Sequence, residues 1–174
     1  MKVIQYLATS VNGHITVGDD GTDWVTPKTI EDFGKLNIEC GVVVMGKRTF
    51  EMFGNDFPQP NCLNIVMTRD SDLLKKQMEG ALFTDKDPSG IVNIAEEKGF
   101  KQLFVVGGTK TNTAFLKDNL IDEIWINIHP IVIGHGKYLF DEIPEISIKD
   151  LKLYDSKPFD GGQMLLKYRV VNEK

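Results

Sequence analysis

Short apolar runs, each closed by a glycine or a polar turn, divide the chain into elements of two kinds. Residues 3–8 are apolar and predict a buried strand. Residues 11–26 carry Asn12-Gly13 and Gly18-Asp19-Asp20-Gly21 and predict a loop. Thr26-Pro27 predicts a helix start, with Thr26 as N-cap and Pro27 in the first turn. Ile30, Phe33 and Leu36 predict its buried face, and Gly41 its end. Val42-Val43-Val44-Met45 is wholly apolar and closes at Gly46, the pattern of a parallel strand covered on both faces.

Residues 47–53 predict a short helix ending at Gly54, and residues 64–68 a strand. A short helix opens the charged stretch 69–80, and residues 81–83 form a further strand. Ser89 is the expected cap of a helix that buries Ile91, Ile94 and Ala95 and stops at Gly99. Residues 103–106 predict a strand broken by Gly107-Gly108, followed by a helix over 111–116. A long strand is expected over 124–133, with Ile124, Ile126 and Ile128 on one face and Trp125, Asn127 and His129 on the other. Two last strands, 151–154 and 163–170, join through a turn at Pro158, Gly161 and Gly162. Alternating strands and helices that give way to antiparallel strands imply an α/β fold: one mixed sheet with helices on both faces. Sites in such sheets lie beyond the carboxyl ends of the strands, which directs attention to Gly46 and Gly107-Gly108.

At 174 residues the chain reads as one domain, 1–174, able to bury a core without disulfide or metal staples. Hydrophobic residues at 41% and charged ones at 26% exclude disorder and coiled coil. A net charge of -5 and a pI near 5.2 argue against nucleic acid as the main partner. No apolar stretch approaches the ~20 residues of a membrane helix. Without a signal-like start, and with Cys40 and Cys62 outside any CxxC pair, a cytoplasmic, reduced protein is expected. His14, His129 and His135 lack metal-ligand spacing, so no metal is expected, and His129 reads as structural. A Gly-x-Ser-x-Gly elbow is absent, and Glu31-Asp32 reads as a solvated helix face.

The candidate chemistry sits at strand ends. In Gly46-Lys47-Arg48-Thr49 a glycine and two cations lead into a helix, whose free N–H groups favour phosphate. A plain turn with solvated cations fits that spacing equally well. Gly107-Gly108-Thr109-Lys110 repeats the logic, but it is neither a P-loop nor the dinucleotide fingerprint. Thr68-Arg69 places a hydroxyl and a guanidinium after another strand. Together these strand ends suit a ligand with several phosphates, such as a phosphorylated dinucleotide. Trp24, in its Gly/Asp loop, suits packing on a ring at a site mouth or simply closing the loop.

Val43-Val44-Met45-Gly46-Lys47-Arg48-Thr49-Phe50-Glu51 resembles the dihydrofolate reductase stretch V-I-M-G-R-x-T-W/F-E, and Thr68-Arg69 and Val106-Gly107-Gly108 follow in the same order. Ser10-Val11-Asn12-Gly13-His14-Ile15, Trp24-Val25-Thr26, Leu120-Ile121-Asp122-Glu123 and Pro130 through Gly134-His135-Gly136 are more similar to the reductase domain of the bifunctional riboflavin-biosynthesis deaminase–reductase. The chain is identified as a stand-alone member of that dihydrofolate-reductase-like superfamily, without the deaminase half. The resemblance implies a three-layer sandwich around a mixed, mostly parallel sheet of about eight strands. It implies NADPH as hydride donor, with Gly46, Lys47, Arg48 and Thr49 toward the adenosine phosphates and Thr68 and Arg69 at the 2′-phosphate. Gly107, Gly108, Thr109 and Lys110 match the pyrophosphate turn, with a cis peptide between the glycines. Ala8 and Ile15 match residues beside the nicotinamide.

On the substrate side the resemblance implies a pocket of Asn12, Trp24, Thr26, Phe33 and Asn127, a small-molecule substrate and a homodimer. Folate reductases keep a carboxylate where this chain has Thr29, and an arginine near Cys62. Loss of both disfavours dihydrofolate. The expectation is reduction of the 5-amino-6-(5-phosphoribosylamino)uracil type, with Asn12 in place of the family's Asp and no residue assigned as proton donor. The alternatives are a dihydrofolate reductase with an altered pocket and a non-catalytic nucleotide-binding protein.

Overall fold

The computed structural model describes residues 1–146, 148–159 and 161–171; residues 172–174 of the expected 1–174 domain lie outside the described residues. Eight strands form one sheet: β1 (Lys2–Ser10), β2 (Val42–Gly46), β3 (Leu63–Met67), β4 (Ala81–Thr84), β5 (Gln102–Val105), β6 (Glu123–His129), β7 (Leu151–Pro158) and β8 (Met164–Val170). Their order is β4-β3-β2-β5-β1-β6-β8-β7, with β4 through β6 parallel and β8 antiparallel to both its neighbours. This is the mixed, mostly parallel α/β sheet expected from the sequence.

Five helices are α1 (Pro27–Cys40), α2 (Lys47–Phe53), α3 (Ser71–Leu74), α4 (Pro88–Glu97) and α5 (Thr109–Lys117). One face of the sheet packs Val3, Val42, Val44, Ile65, Leu103 and Val105 against Ile91 and Ala95 of α4 and Phe115 and Leu116 of α5. The other packs Ile4, Val43, Met45, Val66, Phe104 and Val106 against Phe33, Leu36 and Cys40 of α1, Phe50 and Phe53 of α2 and Leu73 of α3. Consecutive residues of β2 therefore serve opposite cores, and Val42 through Met45 are all 0% exposed. Hence that run could be wholly apolar: a central parallel strand has no solvent face.

Thr26 caps α1 by accepting from Thr29 N, and Gly41 ends the helix in the left-handed conformation. Several expectations are corrected. Asp87, not Ser89, caps α4, accepting from Gly90 N, and Pro88 takes the first turn; Ser89 lies inside the helix. α5 starts at Thr109, two residues early, because Gly108 serves as its N-cap. β6 stops at His129 rather than 133, because Pro130 has no N–H to extend the ladder. β7 runs on to Pro158, and Gln163 precedes β8. Ile30 is 59% exposed and does not share the buried face of α1, which passes through Thr29, Asn37 and Cys40.

The topology places a crevice. β1 and β5 are neighbours, but β1 leads into α1 on one face and β5 into α5 on the other. Where adjacent strands send their helices to opposite faces, their carboxyl ends part and leave room for a ligand. No helix among the described residues is long and apolar enough to cross a membrane.

Candidate functional site

A cleft of about 1080 Å³ opens at this crevice. Its walls come from the end of β1 (Tyr6, Leu7, Ala8), the following loop (Ile15, Thr16, Asp19, Asp20), α1 (Thr29, Ile30, Phe33), the β2–α2 junction (Gly46 to Thr49) and the β5–α5 junction (Val106, Gly108 to Thr111). The junctions at Gly46 and Gly107-Gly108 are thus brought together, and they touch: Gly46 N donates to Gly107 O at 2.9 Å.

These junctions have open backbone donors. Thr26, Asp70 and Asp87 cap α1, α3 and α4 with side-chain oxygens. At Gly46 and Gly108 no side chain caps α2 or α5. The first N–H groups of a helix have no intrahelical acceptor, so an incoming oxygen must supply one. Gly46 and Gly107 are held to glycine for different reasons. A Cβ at Gly46 would stand 2.8 Å from Thr111 Oγ1, and Gly107 holds φ +103. The Gly107–Gly108 peptide is cis, as the resemblance implies. This bare, donor-rich turn fits a pyrophosphate, and the cleft has room for a dinucleotide with a small second ligand.

The cations are arranged less simply. Lys47 Nζ donates to Asp70 Oδ2 at 2.7 Å and lies 3.6 Å from Glu51. That hydrogen bond, with those from Leu73 and Asp72 N–H, pushes the Asp70 carboxyl down to about 2. Arg48 is held by Asp20 in a two-pronged pair at 2.5 and 2.7 Å, and Lys137 lies 3.6 Å from the same carboxylate. Arg69 and Lys110 are exposed and have no ion pair among the described residues. Thr68 is buried outside the cleft lining, and its hydroxyl accepts from Asp70 N at 3.0 Å.

The substrate side differs from expectation. Phe33 lines the cleft beside Tyr6, with ring centroids 5.6 Å apart. Asn12, Trp24, Thr26 and Asn127 are not among its lining residues. Asn12 staples two loops, its Oδ1 accepting from Ile133 N and its Nδ2 donating to Ile133 O. Trp24 stands edge-on to His129 at 5.1 Å and donates to Gly21 O. Thr26 and Asn127 act from behind, through Thr29.

Thr29 is 3% exposed and forms the polar floor of the cleft. Its hydroxyl donates to Gln163 Oε1 at 3.2 Å and accepts from Asn127 Nδ2 at 3.3 Å, with His129 Nε2 at 3.4 Å. Gln163 Nε2 donates on to Thr26 Oγ1 at 3.0 Å. Burial holds the His129 imidazole below its ordinary pKa, so it is neutral at pH 7. The whole network is uncharged. Sequence reasoning set His129 aside and missed Tyr6 and Gln163. Tyr6 and His129 were findable, since each lies two residues from a chosen strand position and shares its face. Gln163 carries no local signal.

A mixed, mostly parallel sheet with this crevice, a bare cis-glycine turn and an aromatic-walled pocket finds its match over almost the whole chain. The RibD C-terminal domain family covers residues 1–165. The chain belongs to that family. The RibD C-terminal domain family is one of NADPH-dependent, dihydrofolate-reductase-like reductases, so the cleft is that of a reductase fold. The uncharacterized protein YyaP of Bacillus subtilis is 23% identical over 96% of this chain and 94% of its own length. A putative riboflavin biosynthesis protein from Shewanella sp. PV-4 superposes with a TM-score of 0.84 at 25% identity, covering 99% of this chain and 100% of its own. Dihydrofolate reductase from Enterococcus faecalis, solved with NADP(H), shares the fold with a TM-score of 0.76 at 20% identity, covering 98% of this chain and 97% of its own.

Proposed function

We propose that the protein is an NADPH-dependent reductase of the 5-amino-6-(5-phosphoribosylamino)uracil reductase type, whose acceptor carries an uncharged heterocyclic ring. The observation that carries this reading is the junction of an uncapped, glycine-led turn at Gly107-Gly108 with an uncharged polar floor at Thr29, inside one cleft. The turn and the first N–H groups of α2 offer backbone donors to phosphate oxygens, while Lys110 on the cleft wall and Arg69, exposed outside its lining, carry charge without an ion pair among the described residues. Ala8 and Ile15 give a flat apolar wall for a ring.

Bound NADPH would supply the hydride. The chain's own part is to fix the acceptor between Phe33 and the Thr29 floor and to exclude water from the reacting atoms. A folate-type ligand finds no acid at Thr29, and Cys62, near the expected arginine, instead donates to Gln59 O. The ring suited to this floor is therefore uncharged.

Titration with NADPH tests the first half, read by tryptophan fluorescence and by a rise in melting temperature. Absence of these responses would remove the basis for any reductase reading. Loss of NADPH absorbance with the pyrimidine but not with dihydrofolate supports the acceptor; the reverse result favours a folate reductase. Binding without consumption of either favours a nucleotide-binding protein. The homodimer is part of the same proposal. β7, exposed throughout with Leu151 and Leu153 at 40% and 49%, offers an edge for it, and sedimentation would report a monomer if it is wrong.

A further inference from the structure

Ile30 of α1 is 59% exposed, and Met52 of α2 is 42% exposed. A lone exposed apolar side chain is ordinary on a protein surface, whereas a group of them in one cleft marks a binding site. Both residues line the same cleft, together with Val25, Phe33 and Phe53. Around Ile30 the outer face of α1 is ion-paired: Lys28 with Glu31 and Asp32, and Lys35 with Glu31. Ile30 interrupts that charged surface where the helix borders the cleft.

Helix spacing joins this wall to the Thr29 floor. Phe33 follows Thr29 by four residues and Ile30 by three, the spacings that make side chains neighbours on one strip of a helix. A ring seated on the floor has Ile30 and Phe33 beside it, and a substituent on that ring meets apolar side chains from both helices. Charge separates this end of the cleft from the phosphate-facing end. The lining cations are Lys47 and Arg48 at the start of α2, Lys110 at the start of α5, and Lys137. Among the described residues, the lining drawn from 22–33 and 52–59 contains no cation, and its single charged side chain is Asp56. Arg48, one turn before Met52, is already held by Asp20. An arm ending in phosphate or carboxylate would meet an apolar wall and a like charge.

We propose that the acceptor ring carries an apolar arm without an anionic group, which lies against Ile30 and Met52 and covers them. The inference rests on the reading of this cleft as an acceptor site and narrows it: the ring and the hydride transfer stay, and the arm is apolar rather than phosphorylated. A phosphoribosyl arm finds no cation at this wall and would stay in the water at the mouth. An aryl or alkyl arm takes the exposed surface of Ile30 and Met52 out of water. Asp56 then acts as a specificity-determining residue by repelling anionic arms.

The test titrates 6-aminouracil, 6-(benzylamino)uracil and 6-(4-carboxybenzylamino)uracil calorimetrically into the whole protein, alone and with NADP+. The benzyl compound should bind at least about tenfold more tightly than 6-aminouracil, and the added carboxylate should weaken it again by about threefold or more. Ile30→Ser, at an exposed position, should keep the melting temperature and the NADPH affinity and lose most of the benzyl gain. Met52→Ser should show the same loss and decides the point if Ile30→Ser fails to fold. Asp56→Asn should bring the benzyl and carboxybenzyl affinities together. Equal binding of 6-aminouracil and the benzyl compound overturns the proposal, as does no binding of the benzyl compound, a benzyl gain that survives the serine variants, or a carboxylate penalty unmoved by Asp56→Asn. Failure of NADPH to bind sinks the reductase reading instead, and the titrations on the protein alone still decide this one.

Discussion

Arg48 grips Asp20 with both Nε and Nη2, tying the start of α2 to the loop that follows β1. The hydrogen bond from Arg48 leads the lowering of the Asp20 carboxyl below its ordinary pKa, so the pair persists into mildly acidic solution. A cation expected to face phosphate is thus occupied by a carboxylate on the cleft wall. Asp20→Asn should release it and tighten NADPH binding, by less than about fivefold because the pair is exposed. Titration at low and high salt checks this, with the gain shrinking at high salt. Weaker binding by the variant would show that Asp20 assists the ligand.

Arg69 stands in the open after β3, without an ion pair among the described residues. Arg69→Ala should lower affinity for NADPH while leaving NADH nearly unchanged, since only the former carries a 2′-phosphate. The ratio of the two dissociation constants is the readout, and a constant ratio refutes the assignment.

Thr29→Asp places a carboxylate on the cleft floor within reach of His129 and Asn127. The variant should gain affinity for 2,4-diaminopyrimidine, a base that binds such an acid as its cation, and lose it for 6-aminouracil. It should also lose about 1–3 kcal/mol of stability, because a charge replaces a satisfied hydroxyl. Paired titrations and a denaturant curve report both effects. Unaltered ligand preference would show that Thr29 does not face the acceptor.

Glu123 anchors the far end of β6 and is 4% exposed. Burial alone would raise its carboxyl, but hydrogen bonds from Tyr154, Lys2 and Trp125 outweigh it and leave the pKa lowered. A carboxyl with a depressed folded pKa adds stability above its unfolded value, near 4.5, and loses it as pH falls through the folded value. Wild type should therefore lose stability on acidification below that point more steeply than Glu123→Gln. At pH 7 the substitution should cost about 1–3 kcal/mol. Melting curves from pH 3 to 7 would test this; parallel profiles for the two proteins would falsify it.

What could be read from the sequence followed locality. Thr26-Pro27 and Gly41 mark α1 because caps act within one turn, and the apolar β2 could only be a central strand. Asp87-Pro88 repeats the Thr26-Pro27 signal, so choosing Ser89 overlooked chemistry already in hand. Ile30 misled because a strict period of three drifts off a helix face that turns every 3.6 residues. The phosphate-facing glycines were legible for the same local reason: each closes an apolar strand and opens a helix. The floor was not. Thr29 meets His129 across 100 residues and Gln163 across 134, and no spacing rule joins positions so distant. Asn12 and Trp24 were placed in the pocket by resemblance, whereas the loops use them to close on themselves.

The Thr29–Gln163 bond also sets an order on the birth of the cleft. Gly46, Gly107, Gly108 and the strands behind them are all present once synthesis passes Lys117. The floor waits for the last strand to dock, since only then does the Thr29 hydroxyl find its acceptor. A chain emerging from the ribosome would acquire its phosphate-facing turn well before it could tell one ring from another.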